Sequence, residues 1–378
     1  MIKMFAYGCK ARQTLRKERK MIGKIKRGKK IPVVGGFFTI AAAGLGVSRY
    51  FHNNLHYDEG LMKKVWQAGF EEKQVTLPDG SAINYGEGPK NGPALLLIHG
   101  QSVAWENYDT VLPELSKSFH VFAADCYGHG QSSHNANLYS CRVNAEALLW
   151  FIENVVKESC YLSGHSSGGI LAAWIAANAP EWVKGLILED PPFFHVTPEE
   201  IQEGKGAFAW HDGYVITHSF LRQDDITDYP LYYLKNSYLL SLFGGLQGKI
   251  VRSAVKYRQQ NPDQPIKISW VPHTWLRMLL YMDNYDPKFG DTFYNGSWLE
   301  GIDQESILRS IKCPVIYLKA NTQYGKDGVL YAANTDEDAN QIQSMLANCK
   351  RINRKSGHDI HYEHPDVFLS ACKSLSAG

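Results

Sequence analysis

Residues 161–180 read YLSGHSSGGILAAWIAANAP, and chemistry first suggests itself in the middle of that stretch. An apolar run ends at Gly164. His165, Ser166 and Ser167 follow, and two glycines lead into an alanine-rich segment of helical composition. Gly164 to Gly168 fits G-x-S-x-G between a strand and a helix. In that context the central serine, Ser166, sits on a strained turn that pushes its hydroxyl out past the end of a sheet. Glycines two residues to either side leave room for that turn. The helix that starts just beyond aims its N-terminus at the hydroxyl, which favours developing negative charge. The pattern points to nucleophilic chemistry, a serine that takes an acyl group from a carbonyl compound. Of the two adjacent serines, the central one is the nucleophile and Ser167 is not.

A serine in that position needs a frame. PALLLIHG (93–100) is a continuous apolar run ending at glycine, which is how a strand buried on both faces reads. FHVFAADCYGHGQS, CYLSGHSSGG, VKGLILEDPP and CPVIYLKA repeat that design, and CKRINRKSGHD is a weaker final strand. EEKQVTLPDGSAINYGEG reads as two strands joined at Pro78-Asp79-Gly80. Helix-like segments lie between the runs, at 140–157 and 169–179. Strands alternating with helices imply an α/β fold, a mostly parallel twisted sheet covered by helices on both faces. The alternation breaks between Phe193 and Glu305, where 113 positions hold 20 of the 46 aromatic residues. That stretch is too long for a loop and reads as a helical cap inserted between two strands. Most of its aromatics pack the cap, and a minority line an apolar pocket at the sheet's C-terminal edge.

In this order the motifs resemble the α/β-hydrolase superfamily, in its capped, esterase-like branch, over about residues 71–378. The likeness rests on His99-Gly100-Gln101 after one strand and Asp125-Cys126-Tyr127-Gly128-His129-Gly130-Gln131-Ser132 after the next. It rests also on the elbow at Ser166 and on Gly357-His358-Asp359 near the end. The resemblance implies a core of 71–192 and 306–378 with a cap over 193–305. It implies that His358 is the base that takes the Ser166 proton and later protonates the leaving group. His361 and His364 are the neighbouring alternatives, read as surface histidines. For the acid, the family uses the end of either of two strands. Asp190, directly after GLILE, is preferred; Asp327 and Glu189 are the alternatives. Asp336, Glu337 and Asp338 read as a helix start instead. The oxyanion hole is expected from the backbone N–H groups of Gln101 and Ser167. Trp105 and Tyr108, in the same loop as Gln101, are candidates to line the substrate pocket, with packing as the equal alternative. His99, His129 and His165 read as structural, and Asp125 as part of a structural glycine turn.

Charge is unevenly distributed. Residues 1–30 hold twelve Lys/Arg and one acid, Glu18, whereas 50–378 holds 27 bases against 37 acids, a net charge of −10. An acidic body argues against nucleic acid as a partner. The uncharged run from Ile31 to Ser48 follows the basic stretch in the positive-inside pattern. At 18 residues it is just long enough for a membrane anchor. The expectation is an N-terminal membrane-anchor helix over 31–48 and a connector over 49–70, with the catalytic domain extracytoplasmic. The alternative is a secreted chain cleaved near Ala43. The seven cysteines include no CxxC pair, so neither a zinc site nor a redox pair is expected. No metal or other cofactor is expected, because no dinucleotide or phosphate-binding glycine loop is present.

The function expected is hydrolysis of an ester or related acyl bond of an apolar small molecule, through an acyl-enzyme on Ser166. The same residues would also serve a carbon–carbon bond hydrolase, an acyltransferase or a cofactor-free haloperoxidase. A non-catalytic ligand receptor on this fold is the reading from another class.

Overall fold

The computed structural model describes residues 33–194, 197–203 and 206–377, with side chains left undescribed at 33–45, 200 and 201. Helix α1 (Val33–Gln67) leads into the hairpin β1 (Glu71–Thr76) and β2 (Ala82–Glu87). Then come β3 (Ala94–Ile98), β4 (His120–Ala124), helix α2 (Cys141–Phe151), β5 (Cys160–His165), helix α3 (Ser167–Asn178) and β6 (Val183–Glu189). After a long helical excursion the sheet resumes with β7 (Val315–Ala320) and β8 (Cys349–Arg354), and helix α5 (Pro365–Ser376) closes the chain. The eight strands lie in the order β1-β2-β4-β3-β5-β6-β7-β8. The hairpin pairs antiparallel, and β4 to β8 run parallel.

Alternation along β3 shows why its sequence is apolar throughout. Leu96 and Ile98 enter one buried cluster with helices α2 and α3, and Leu95 and Leu97 enter another with Leu112, Leu115 and helix α5. A strand covered on both faces has no polar side to show.

Between β6 and β7 lies a helical segment, with no named strand among the described residues. Its longest helix is α4 (Gln247–Gln260). A buried ion pair joins it to the core, with Arg277 Nη2 2.7 Å from Asp109 Oδ1. The Arg277 guanidinium also lies 4.4 Å from the Tyr362 ring centroid.

The connector expected over 49–70 is helical through Gln67, the end of α1, with non-helical dihedrals at His56. It packs on the cap. Asn54 Nδ2 donates to the Ser269 carbonyl at 2.7 Å, Lys267 Nζ meets Asp58 at 2.7 Å, and Tyr57 stacks on His273 at 4.2 Å. Among the described residues no helix is long and apolar enough to cross a membrane, so the spanning anchor over 31–48 is not supported. Residues 1–32, and so the basic stretch and the first two residues of that run, lie outside the described residues.

Candidate active site

Strand register sets the site. β5 and β6 pair His165 with Glu189, so the next residues, Ser166 and Asp190, leave adjacent strands together at the sheet's C-terminal edge. Both have positive φ, 54° at Ser166 and 44° at Asp190. L-residues rarely adopt that conformation, and it concentrates at functional sites. The Ser166 N–H donates to the Glu189 carbonyl at 2.9 Å, and the Gly169 N–H donates to the Ser166 carbonyl at 2.9 Å. Helix α3 crosses so close to the sheet that side chains cannot fit at the flanking glycines. A Cβ on Gly164 would lie 2.2 Å from the Gly168 carbonyl oxygen, and one on Gly168 would lie 2.4 Å from the carbonyl oxygens of Ile98 and His99.

Asp190 is fully buried and fully engaged. Its Oδ1 accepts the Ala320 N–H at 3.1 Å, and its Oδ2 accepts the Ala333 N–H at 3.2 Å. Oδ2 also lies 2.8 Å from His358 Nδ1. With Nδ1–H donating to the carboxylate, Nε2 is left as the proton-accepting nitrogen. Burial opposes charge on both groups. The hydrogen bond and mutual attraction outweigh it, holding Asp190 below the ordinary carboxylate value and His358 above the ordinary imidazole value. His165 Nε2 lies 3.2 Å from the His358 carbonyl oxygen and donates to it, which fixes the loop that carries His358.

A second imidazole–carboxylate pair lies beside this one. His361 donates twice to Glu189 Oε1, from its backbone N–H at 2.7 Å and from Nδ1 at 2.8 Å. Its Nε2 accepts from Asn107 Nδ2 at 3.1 Å. Both side chains are fully buried, so His361 is not the surface residue its sequence position suggested. Burial again opposes ionisation, yet Glu189 is lowered by His361 and His361 is raised by Glu189. The ligand atoms of His165, Glu189 and His361 lie within 4.8 Å of one another, close enough to hold a metal ion. The pairing of His361 with Glu189 accounts for two of the three without one.

The loop carrying Gln101 covers the serine, since a Cβ on Gly100 would lie 2.9 Å from Ser166 Cβ. Two histidines hold it. His99 Nδ1 donates to the Gly100 carbonyl at 2.6 Å, and its Nε2 accepts the Cys126 N–H at 3.0 Å. His129 Nε2 accepts the Ser102 N–H at 3.1 Å, and its Nδ1 donates to the Tyr127 carbonyl at 3.0 Å. Burial pushes His99 down to about 4 and His129 well below the usual value, so both rings are neutral at pH 7. The Gln101 side chain reaches into the cap, donating to the Gly213 carbonyl at 3.0 Å and to the Tyr285 hydroxyl at 2.6 Å. The His-Gly-Gln and Gly-His-Gly turns signalled His99 and His129, but nothing local signalled the reach of Gln101 across 112 residues to Gly213.

One candidate pair is corrected, and two of the alternatives fall outside the site. Trp105 and Tyr108 do not line a pocket. Trp105 is buried, its backbone N–H donating to Asp125 Oδ1 at 2.7 Å, its indole N–H to Glu72 Oε1 at 3.3 Å, and its ring edge-on to Trp66. Tyr108 is fully buried and donates to the Ile98 carbonyl at 3.0 Å. Both side chains belong to the second core cluster. Asp327 is exposed, accepts the Tyr238 hydroxyl at 2.5 Å and is not the partner of His358. His364 sits outside the site, with Arg354 Nη2 donating to its Nδ1 at 3.2 Å.

The model of the alpha/beta hydrolase fold family matches residues 93–368. A human serine hydrolase-like protein is 30% identical over 138 residues, which are 35% of this chain and 66% of the relative. The matched stretch thus spans about two thirds of that relative's length. Esterase Rv0045c of Mycobacterium tuberculosis is 23% identical over 300 residues, 78% of this chain and 85% of that one. Among solved structures, a bacterial membrane phospholipase A superposes with a TM-score of 0.58 at 19% identity, covering 91% of this chain and 97% of that one. At that identity the likeness concerns the fold.

Proposed function

The chain belongs to the alpha/beta hydrolase fold family, and from that premise we propose that it hydrolyses an ester of an apolar acyl compound through an acyl-enzyme on Ser166. The observation that carries the proposal is the 2.8 Å contact between Asp190 Oδ2 and His358 Nδ1, formed where the Ser166 elbow leaves the adjacent strand. In this reading Ser166 Oγ attacks the ester carbonyl while His358 Nε2 takes its proton. The N–H groups of Gln101 and Ser167 receive the negative charge on the carbonyl oxygen. Collapse of the tetrahedral intermediate breaks the ester C–O bond, and His358 returns the proton to the departing alkoxide. Water then repeats the sequence against the acyl-enzyme, releasing the acid and restoring Ser166.

An apolar substrate is favoured by the roof. Tyr285 touches Gln101 directly and packs on His129 and Tyr229, so the cap brings aromatic surface to the oxyanion loop. The membrane contact of this reading is the run 31–48 behind twelve bases, with the catalytic domain outside the cytoplasm; it rests on the charge pattern. Turnover of a series of p-nitrophenyl esters by the full chain tests the proposal. Activity that rises with acyl length and vanishes in Ser166→Ala is expected, and turnover unchanged in that variant would refute it.

A further inference from the structure

The cap carries a second asymmetry of charge. From 229 to 262 the chain has five bases and no acid, within a body whose net charge is −10. Arg258 is held between Asp228 and Asp283. Helix α4 buries Ile250 and Ala254 and turns Lys249, Arg252 and Lys256 to solvent. None of these three has an ion pair among the described residues. They line an open hollow with Ser253 and Trp270. Exposed apolar side chains occur on the segments that lead into this helix and on α1. Leu242 and Leu246 precede the helix and are 41% and 44% exposed. Tyr50 of α1 donates to the Trp270 carbonyl at 3.3 Å, and its neighbours Val47 and Phe51 are exposed too.

We propose that this face of the cap, Lys249, Arg252, Lys256 and Trp270 with Tyr50 and Phe51 of α1, docks on the headgroup layer of an anionic phospholipid bilayer. Two observations choose that partner. A row of bases with an aromatic ring and protruding apolar side chains matches phosphates above a hydrocarbon boundary. The exposed end of α1 at this face is also where the uncharged run 31–48 finishes, directly behind the twelve bases of 1–30. The described end of α1 and the cap face therefore meet one surface, and the cap holds the catalytic domain down on it. This docking does not depend on the chemistry at Ser166.

Lysine footprinting on the intact full chain tests it. The protein is bound to phosphatidylcholine vesicles with or without 30% phosphatidylglycerol and pulsed with an amine-acetylating reagent, and each lysine is read by mass spectrometry. Lys184, exposed at the start of β6 and so at the opposite end of the sheet, is the reference. On anionic vesicles Lys249 and Lys256 are expected to react at least threefold more slowly than in solution, with Lys184 unchanged and no slowing on phosphatidylcholine alone. Vesicle-bound protein whose Lys249 and Lys256 react at the solution rate would overturn the proposal, as would protein that fails to bind anionic vesicles. Slowing by a DNA duplex without slowing by anionic vesicles would also overturn it, and would make the face a nucleic-acid contact.

Discussion

Two imidazole–carboxylate pairs lie side by side at the end of β6, built from neighbouring residues. Asp190 meets His358 and Glu189 meets His361, each at 2.8 Å. In both, the carboxylate is fully buried, its acidity is increased and the imidazole is made more basic. What separates them is the far side of the ring. His358 keeps 17% of its side-chain surface open and stands by the Ser166 elbow, whereas His361 is sealed and its Nε2 is occupied by Asn107. A shifted pKa therefore does not by itself mark a catalytic base. The base is the imidazole whose second nitrogen still faces a place a substrate can reach.

The largest effect that would break this comparison lies outside both pairs. Ser166→Ala is expected to lower kcat by about 10⁶-fold, as loss of a nucleophile does in other serine hydrolases, with the fold intact by circular dichroism. Within the catalytic pair, Asp190→Asn should cost about 10⁴-fold in kcat, because the wrong tautomer of His358 is then favoured. The sealed pair should behave in the opposite way. His361→Ala leaves Glu189 buried without its partner and is expected to cost about 3–5 kcal/mol in urea unfolding. The folded fraction should keep its pH profile.

That profile sharpens the contrast further. In the proposed mechanism His358 must be neutral to accept the serine proton, and its partner raises its pKa. Activity is thus lost as pH falls through a value above the ordinary 6.5 of histidine. The acid limb of kcat/KM should lie above 6.5 in the native enzyme and move down in the residual activity of Asp190→Asn. The smallest effect belongs to the acid that the fold leaves at the surface. Asp327→Asn should change stability by no more than about 0.5 kcal/mol, and turnover should stay near native.

What was legible in the sequence was local. The elbow at Ser166 shows itself because two glycines are forced by contacts with chain close by, and β3 shows itself because both its faces are covered. Asp190 could be placed because it directly follows a strand, and His358 because it lies in the loop just after the last one. What was not legible depends on distant chain meeting. Glu189 and His361 are 172 residues apart, and nothing near His361 distinguishes a buried imidazole from a surface one. Trp105 and Tyr108 follow Gln101 in the same loop whether they face a pocket or a core, and only the folded chain shows them buried. The docking of α1 on the cap rests on Asn54 and Asp58, polar residues whose partners lie more than 200 positions on.

The central claim, that the elbow serine is activated by the open pair and not the sealed one, is tested most directly by a fluorophosphonate probe. The folded full chain is treated briefly and its adducts are mapped by mass spectrometry. One adduct is expected, on Ser166, lost in His358→Ala and retained in the folded fraction of His361→Ala. No adduct, an adduct on Ser167, or labelling that survives His358→Ala would contradict the account.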